Sequence, residues 1–135
     1  MKELEITAIN ENLEKVLAFV DKELEKVGCP MKTQMKIDVA VEEIFVNIAN
    51  YAYRPECGPA TIRAEVQKDP LRVILSFVDH GVPYDPLAKK DPDITLSSEE
   101  RAIGGLGIFM VKKSMDDICY EYKDGHNILT ITKNL

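Results

Sequence analysis

The sequence contains little of what several protein classes depend on. Its 135 residues include three cysteines, two histidines and no tryptophan. Cys29, Cys57 and Cys119 form no CxxC or Cys–His spacing, which excludes a disulfide scaffold or a zinc finger and favours free thiols in a reducing cytosol. His80 and His126 lie far apart and share no HExxH-type motif, so no histidine-based metal site is expected.

The sequence also lacks an excess of positive charge and a long apolar run. Lys and Arg number 17 against 23 Asp and Glu, a formal net charge of −6. This balance excludes the basic surface with which proteins bind nucleic acid or anionic membrane. No apolar run approaches the roughly 20 residues of a membrane span, and the first ten residues lack the apolar segment of a signal peptide. We expect a complete cytoplasmic protein that contacts neither nucleic acid nor membrane.

The amino-acid composition is typical of a single globular domain. Hydrophobic residues make up 45% of the chain and charged residues 30%, which are ordinary values for a soluble fold. The length fits a single domain over residues 1–135, and the sequence contains no internal repeat, linker or low-complexity tract.

The pattern of apolar residues predicts the order β-α-α-β-β-loop-α-β-β. A strand over 3–9 precedes a helix for which Asn10 is the expected N-cap and Gly28 the stop. A second helix is expected from Met31 to the residue before Pro55. Two predicted hairpins have strands at 60–68, 71–79, 117–123 and 126–133. Helices segregated from paired strands predict an α+β fold, a two-layer sandwich with helices on one face of a mostly antiparallel sheet.

A polar stripe on the second helix is the first candidate for chemistry. Glu43, Asn47, Asn50 and Arg54 recur at helical spacing on a helix that is otherwise largely apolar. A carboxylate and a carboxamide one turn apart can supply oxygen ligands to Mg²⁺ or hold a water of its shell. The carboxylate can instead take a proton from an attacking hydroxyl. A solvated helix face is the alternative, and the residues alone leave these interpretations open.

Two further features flank the long segment without periodicity. Asp79 ends an apolar strand and can accept a hydrogen bond from the exocyclic amine of a base, while Gly81 lets the backbone approach a ligand. Gly104-Gly105-Leu106-Gly107 opens a helix whose N–H groups and dipole can hold a phosphate. An ordinary turn and a flexible hinge are the respective alternatives, and no Walker A or GxGxxG motif occurs. Tyr120 and Tyr122 are assigned to the core or the sheet surface.

Taken in order, these motifs define a resemblance to a known family. The helix EExxxNxxNYAY, the strand end DxGxP, a long intervening segment and the GGLG helix resemble the ATP-binding (Bergerat) fold of the GHKL superfamily, over residues 3–133. That superfamily includes the ATPase domains of gyrase, Hsp90, histidine kinases and MutL. The small size and the N-terminal strand and helix look most like its anti-sigma-factor serine/threonine kinases. The resemblance implies an ATP lid over residues 84–103.

The resemblance implies a role for each matching residue. Glu43 matches the general base that activates the attacking hydroxyl, and Asn47 matches the ligand of the Mg²⁺ that bridges the phosphates. Asp79 matches the aspartate that binds the adenine amino group. The family motif often has His where this chain has Tyr51, a departure that removes no ligand. The other implied nucleotide contacts are Asn50, Gly81, Arg101, Gly104, Gly105, Leu106 and Gly107.

The resemblance further implies a function and partners. The protein is expected to use ATP and Mg²⁺ to phosphorylate a serine or threonine of a STAS-type anti-anti-sigma protein, and to bind a sigma factor. The alternative is a non-catalytic module that binds nucleotide or a partner and sequesters a sigma factor or another regulator. A detached histidine-kinase catalytic domain is less favoured, since the chain has its own N-terminal strand and helix and no dimerisation helix with a phosphoacceptor histidine. The family is commonly homodimeric, although no exposed seam in the sequence indicates a dimer.

Overall fold

The computed structural model describes residues 1–88 and 105–135. The helices and strands follow the predicted order: β1 (Lys2–Thr7), α1 (Leu13–Lys26), α2 (Met31–Asn47), β2 (Pro59–Gln67), β3 (Arg72–Asp79), α3 (Gly105–Ser114), β4 (Asp117–Lys123) and β5 (His126–Asn134). None of the helices in these two ranges is both long and apolar enough to cross a membrane.

The five strands form one antiparallel sheet in the order β1-β2-β3-β5-β4. Ile62 pairs with Phe77, which pairs in turn with Leu129, and all three side chains are buried. Because successive strand residues point to opposite faces, this row marks the face on which the helices pack. The α+β prediction, with helices on one face of an antiparallel sheet, is confirmed.

The core lies between that sheet face and the buried stripes of the helices. Helices α1, α2 and α3 each bury apolar residues at helical spacing against the strands. The largest fully buried side chains are Val16, Val20, Leu24, Ile37, Val41, Ile44, Phe45, Ile62, Val73, Leu75, Phe77 and Ile131. Val16, Val20 and Leu24 recur at the spacing predicted for α1. Ile62, Val73, Leu75 and Phe77 lie on the apolar faces predicted for β2 and β3.

Residues with positive φ form the turn that ends α1 and the turn between β4 and β5. Gly28, two residues after the last residue of α1, has φ +69, and the Cys29 N–H donates to the Leu24 carbonyl at 3.1 Å. This is the Schellman motif that commonly ends a helix. Strands β4 and β5 are joined by Asp124 and Gly125, at φ 54 and 79, as a two-residue hairpin turn requires. Both turns lie where the sequence predicts them.

Two helix ends differ from the prediction. Asn10 is not an N-cap, because a 3₁₀ turn over Asn10–Asn12 precedes α1 and no side chain caps it. The Asn12 carboxamide instead donates to the Thr7 carbonyl at 2.8 Å, a local bond that competes with capping. Helix α2 ends at Asn47 and continues as a π-helical turn over Ile48–Ala52. The wider turn changes the direction of the side chains that follow, so the predicted polar stripe does not continue along one line.

Candidate functional site

A cavity of about 590 Å³ opens where the ends of α2 and β3 meet α3. Its walls are mostly apolar, with a few polar groups, which is the usual composition of a small-molecule site. The lining residues are Ile44, Asn47, Ile48, Tyr51, Ala52, Arg54, Phe77, Asp79, Val82, Pro83, Tyr84, Pro86, Ile108, Tyr120, Asn127 and Leu129. A more open depression of about 440 Å³, lined by Lys26, Val27 and residues 68–71, contains no buried polar side chain.

Asp79 is the buried acid of the larger cavity. It ends β3 and is 5% exposed. Its Oδ1 accepts hydrogen bonds from the Gly81 N–H at 2.8 Å and from the Asn127 Nδ2 at 2.9 Å. Oδ2 accepts no hydrogen bond from the described residues. A buried carboxylate with one oxygen held in place and the other available is suited to accept a hydrogen bond from a ligand amine.

Asn127 holds this part of the cavity together, and the sequence analysis missed it. It lies on β5 directly opposite Asp79 and is 7% exposed. Besides its bond to Asp79, Nδ2 donates to the Val82 carbonyl at 3.0 Å. Its Oδ1 accepts the Tyr84 N–H at 3.1 Å and the Tyr120 hydroxyl. No motif could have found Asn127, because its position beside Asp79 depends on the pairing register of two strands far apart in the chain.

Tyr120 packs against the hydrophobic core, as predicted, and its phenol also lines this site, which the prediction did not include. Burial raises the pKa of Tyr120, and the nearby charges of Asp85 and Asp79 raise it further. Burial likewise raises the pKa of Tyr53, whose Oη accepts the His80 N–H at 2.8 Å. Both phenols therefore stay protonated at neutral pH, so Tyr120 remains a hydrogen-bond donor to the network.

Gly81 lies in close contact with the second helix, and its predicted contact with a ligand stays a prediction. A Cβ at this position would lie 2.2 Å from the Ala52 carbonyl oxygen. The same carbonyl accepts the Val82 N–H at 3.1 Å. The glycine thus lets the segment after β3 pack directly on the terminal turn of the second helix. The close backbone approach observed is to Ala52.

The predicted acid and the glycine-rich helix start are brought together. A Cβ on Gly107 of α3 would lie 2.2 Å from Glu43 Oε2, so the carboxylate of Glu43 rests against that glycine. Asn47, one helical turn after Glu43, lines the cavity. Gly105 and Leu106 form the start of α3. Glu43 and Gly107 therefore lie in contact beside the cavity, and of the predicted residues on this side Asn47 alone is among those described as lining it.

Other predicted residues lie elsewhere. Asn50 does not line the cavity, and its Oδ1 accepts a hydrogen bond from Asn10 Nδ2 at 3.3 Å on the surface. Arg101, Gly104 and the predicted lid beyond residue 88 lie outside the described residues. The described start of that lid, 84–88, contributes Tyr84 and Pro86 to the cavity wall.

One cation lines the cavity among the described residues. Arg54 was part of the predicted polar stripe, and it reaches the cavity from beyond the π-helical turn. Its guanidinium carbon lies 5.9 Å from the ring centre of Tyr51, within cation–π range. Arg54 supplies positive charge to the cavity, and Asp79 is the other charged residue among the described residues that line it.

Comparison with known proteins identifies the family. Residues 6–133 match the family model described as the histidine kinase-like ATPase domain. The chain belongs to this family. The match covers the last two residues of β1, the whole of α1 and the residues that line the cavity, so the resemblance drawn from the short motifs is confirmed.

Two named kinases are among the similar proteins. Serine/threonine-protein kinase BtrW of Bordetella bronchiseptica is 27% identical over 103 residues, covering 76% of this chain and 72% of BtrW. Serine-protein kinase RsbW of Listeria monocytogenes is 30% identical over 98 residues, covering 69% of this chain and 61% of RsbW. The chain thus spans less than two thirds of the length of RsbW.

A solved structure supports the fold. The chain is similar to one from the SiaB–SiaC complex of Pseudomonas aeruginosa, with a TM-score of 0.59 and 15% sequence identity. The similarity covers 98% of this chain and 89% of that one. At this identity the likeness shows a shared fold, in agreement with the histidine kinase-like domain.

Proposed function

We propose that this protein binds ATP with Mg²⁺ in the cavity and transfers the γ-phosphoryl group to a serine or threonine of a partner protein. The observation that carries the proposal is the buried Asp79, whose Oδ1 is held by Gly81 and Asn127 within a mostly apolar cavity. Such a group can accept a hydrogen bond from the adenine amino group while the apolar walls cover the faces of the base. Family membership and the names of BtrW and RsbW support the same activity.

The phosphate side of the site is assigned to α2 and α3. The carboxamide oxygen of Asn47 is of the ligand type that Mg²⁺ prefers. A Cβ at Gly107 would displace the Glu43 carboxylate from its present position, and the N-terminus of α3 favours negative charge. These groups fit a magnesium-bound triphosphate, which when bound supplies the transferable phosphoryl group and neutralises charge in the transfer.

Glu43 is the proposed general base. It would accept the proton of the attacking serine or threonine hydroxyl as the oxygen–phosphorus bond forms and the bond to the β-phosphate oxygen breaks. Its half-buried position, one turn before Asn47, is suited to that role. Because phosphoryl transfer depends mainly on positioning and electrostatics, loss of the base should reduce turnover and leave nucleotide binding intact.

The proposed partners follow from the resemblance to anti-sigma kinases. We infer an anti-anti-sigma protein of the STAS type as the substrate and a sigma factor as the regulated protein, with the chain acting in the cytoplasm and as a homodimer. A non-catalytic module that sequesters its partner is the second candidate, since a base in position does not establish transfer.

Calorimetric titration with ADP and ATP in the presence of Mg²⁺ tests the site. We expect Asp79→Asn to weaken binding of both nucleotides at least tenfold, and Asn47→Ala to remove the Mg²⁺ dependence of ATP binding. No nucleotide binding by the wild-type chain would contradict the proposal and leave a partner-binding domain.

Phosphoryl transfer to STAS-type proteins of the same organism separates the kinase from the module. Glu43→Gln should bind ATP normally and lose transfer at least a hundredfold. The matched control is Glu42→Gln, since Glu42 is the exposed neighbouring carboxylate on α2, and it should transfer at the wild-type rate. Transfer at the wild-type rate by both variants would show that Glu43 is not the general base.

A further inference from the structure

The two histidines of the chain lie side by side. The ring centres of His80 and His126 are 4.1 Å apart, with the ring planes tilted by 59°. His80 follows the end of β3 and His126 begins β5, next to the directly paired residues Asp79 and Asn127. Neither histidine lines the cavity. Since neighbouring strand residues point to opposite faces, His126 lies on the face of the sheet away from Asn127 and the cavity, and the His80 ring lies beside it.

The hydrogen bond of His126 prepares its ring to bind a metal. Nδ1 lies 2.8 Å from the Asp124 carbonyl oxygen. A carbonyl only accepts, so Nδ1 carries the proton and the neutral ring keeps a lone pair on Nε2. Metal-ligating histidines are commonly fixed in this way, by donating the other ring N–H to a carbonyl or carboxylate.

His80 can adapt to the same ion. Its side chain is exposed, and its ring nitrogens make no hydrogen bond with the described residues. Its backbone is fixed, because the His80 N–H donates to Tyr53 Oη at 2.8 Å. The ring can therefore rotate toward His126 without moving the strand end.

We propose that His80 and His126 form a binding site for a divalent transition-metal ion of the Zn²⁺ type, distinct from the Mg²⁺ expected at Asn47. Imidazole nitrogen suits Zn²⁺, Ni²⁺ and Cu²⁺, whereas Mg²⁺ takes oxygen ligands. Zn–N bonds of about 2.0–2.1 Å hold two ligating rings within a few ångströms of one another. No group of three or more His, Cys, Asp and Glu side chains suited to a metal occurs in the described part of the chain, so water completes the coordination.

The ion would link the end of β3 to the start of β5. A ligand that binds only the folded state raises its stability, and here the two ligands come from strands far apart in the sequence. The proposal does not depend on nucleotide binding, because it uses residues outside the cavity and its test uses nucleotide-free protein.

Titration of the untagged, chelator-treated chain with ZnCl₂ by calorimetry tests the site. We expect one Zn²⁺ per chain, and at least tenfold weaker binding for His80→Gln and for His126→Gln. Cys57→Ser and Cys119→Ser are the controls, since both thiols are exposed, and each should bind as the wild type does. Absence of saturable binding, wild-type affinity in either histidine variant, or loss of binding in a cysteine variant would overturn the assignment.

A second measurement on the wild-type chain does not depend on the variants folding. Substoichiometric Cu²⁺ should broaden the ring proton resonances of both histidines together in NMR spectra. Broadening of only one ring would show that the pair does not share an ion.

Discussion

The carboxyl groups of Asp21 on α1 and Asp38 on α2 predict a measurable pH dependence of stability. Oδ1 of each is buried and accepts no hydrogen bond from an N–H or hydroxyl group of the described residues, so a hydrogen bond between the two carboxyls requires a proton on one of them. Burial, a hydrogen bond with Asp21, and the charges of Asp21 and Glu25 raise the pKa of Asp38 from 3.8 to about 7. Burial and the charge of Asp38 also raise the pKa of the Cys29 thiol, so that thiol stays neutral and adds nothing to the pH dependence.

The direction of the effect follows from proton binding. Between pH 4 and 7 the folded chain holds a proton on Asp38 that the unfolded chain does not, so the free energy of unfolding falls as pH rises through this window. The change in pKa from 3.8 to about 7 corresponds to roughly 4 kcal/mol if taken in full. Because Asp38 is only half-buried, solvent screening reduces the expected effect to about 1–2 kcal/mol.

Asp38→Asn replaces the shared proton with a permanent N–H donor. We expect the variant to be about 1–2 kcal/mol more stable than the wild type at pH 8, and the difference to shrink toward pH 5. Urea unfolding at pH 5, 6, 7 and 8 measures this. Glu42→Gln, which removes an exposed carboxylate of the same helix, should follow the wild-type profile. A variant less stable than the wild type at pH 8 would refute the shared proton.

Three substitutions probe the cavity and the contacts beside it. Gly107→Ala places a Cβ 2.2 Å from Glu43 Oε2, so phosphoryl transfer should fall at least tenfold. The free energy of unfolding should change by less than about 1 kcal/mol, because the flexible Glu43 side chain can shift. Unchanged transfer would contradict the contact. Gly81→Ala meets the Ala52 carbonyl at 2.2 Å and should cost about 1–3 kcal/mol in urea unfolding; wild-type stability would exclude that close approach. Asn127→Ala leaves buried polar groups unpaired and should lower the free energy of unfolding by about 1–3 kcal/mol. Calorimetry should also show weaker ADP binding. Unaltered ADP affinity would show that the hydrogen bonds of Asn127 do not contribute to nucleotide binding.

The order of elements and the faces of the strands could be predicted because they depend on local periodicity. Ile62 and Ala64 on β2, and Val73 and Leu75 on β3, alternate with more exposed residues and are all buried as predicted. Turns that need positive φ, such as the one at Gly125, are similarly local. The π-helical turn after Asn47 was not predictable from periodicity, because a single wider turn leaves the residue pattern of the helix unchanged.

Contacts between distant segments could not be predicted, because they require the strand register. The distance between His80 and His126 in the sequence gives no sign that they are neighbours, and the antiparallel pairing of β3 with β5 brings their ring centres to 4.1 Å. Sequence spacing identifies sites built within one element. It gives no information about ligands that meet across a sheet.

The hydrogen bonds made at position 127 explain why the residue there is an asparagine. Its Nδ2 donates to Asp79 and to the Val82 carbonyl, and its Oδ1 accepts from Tyr84 and Tyr120. A carboxamide supplies both donors and acceptors at one position. A carboxylate would lack the donors and place a second negative charge beside Asp79, and a hydroxyl would supply a single proton. Asp79 can be found from its motif because it is the expected ligand contact. The residue that orients its carboxylate, Asn127, lies on another strand and belongs to no motif.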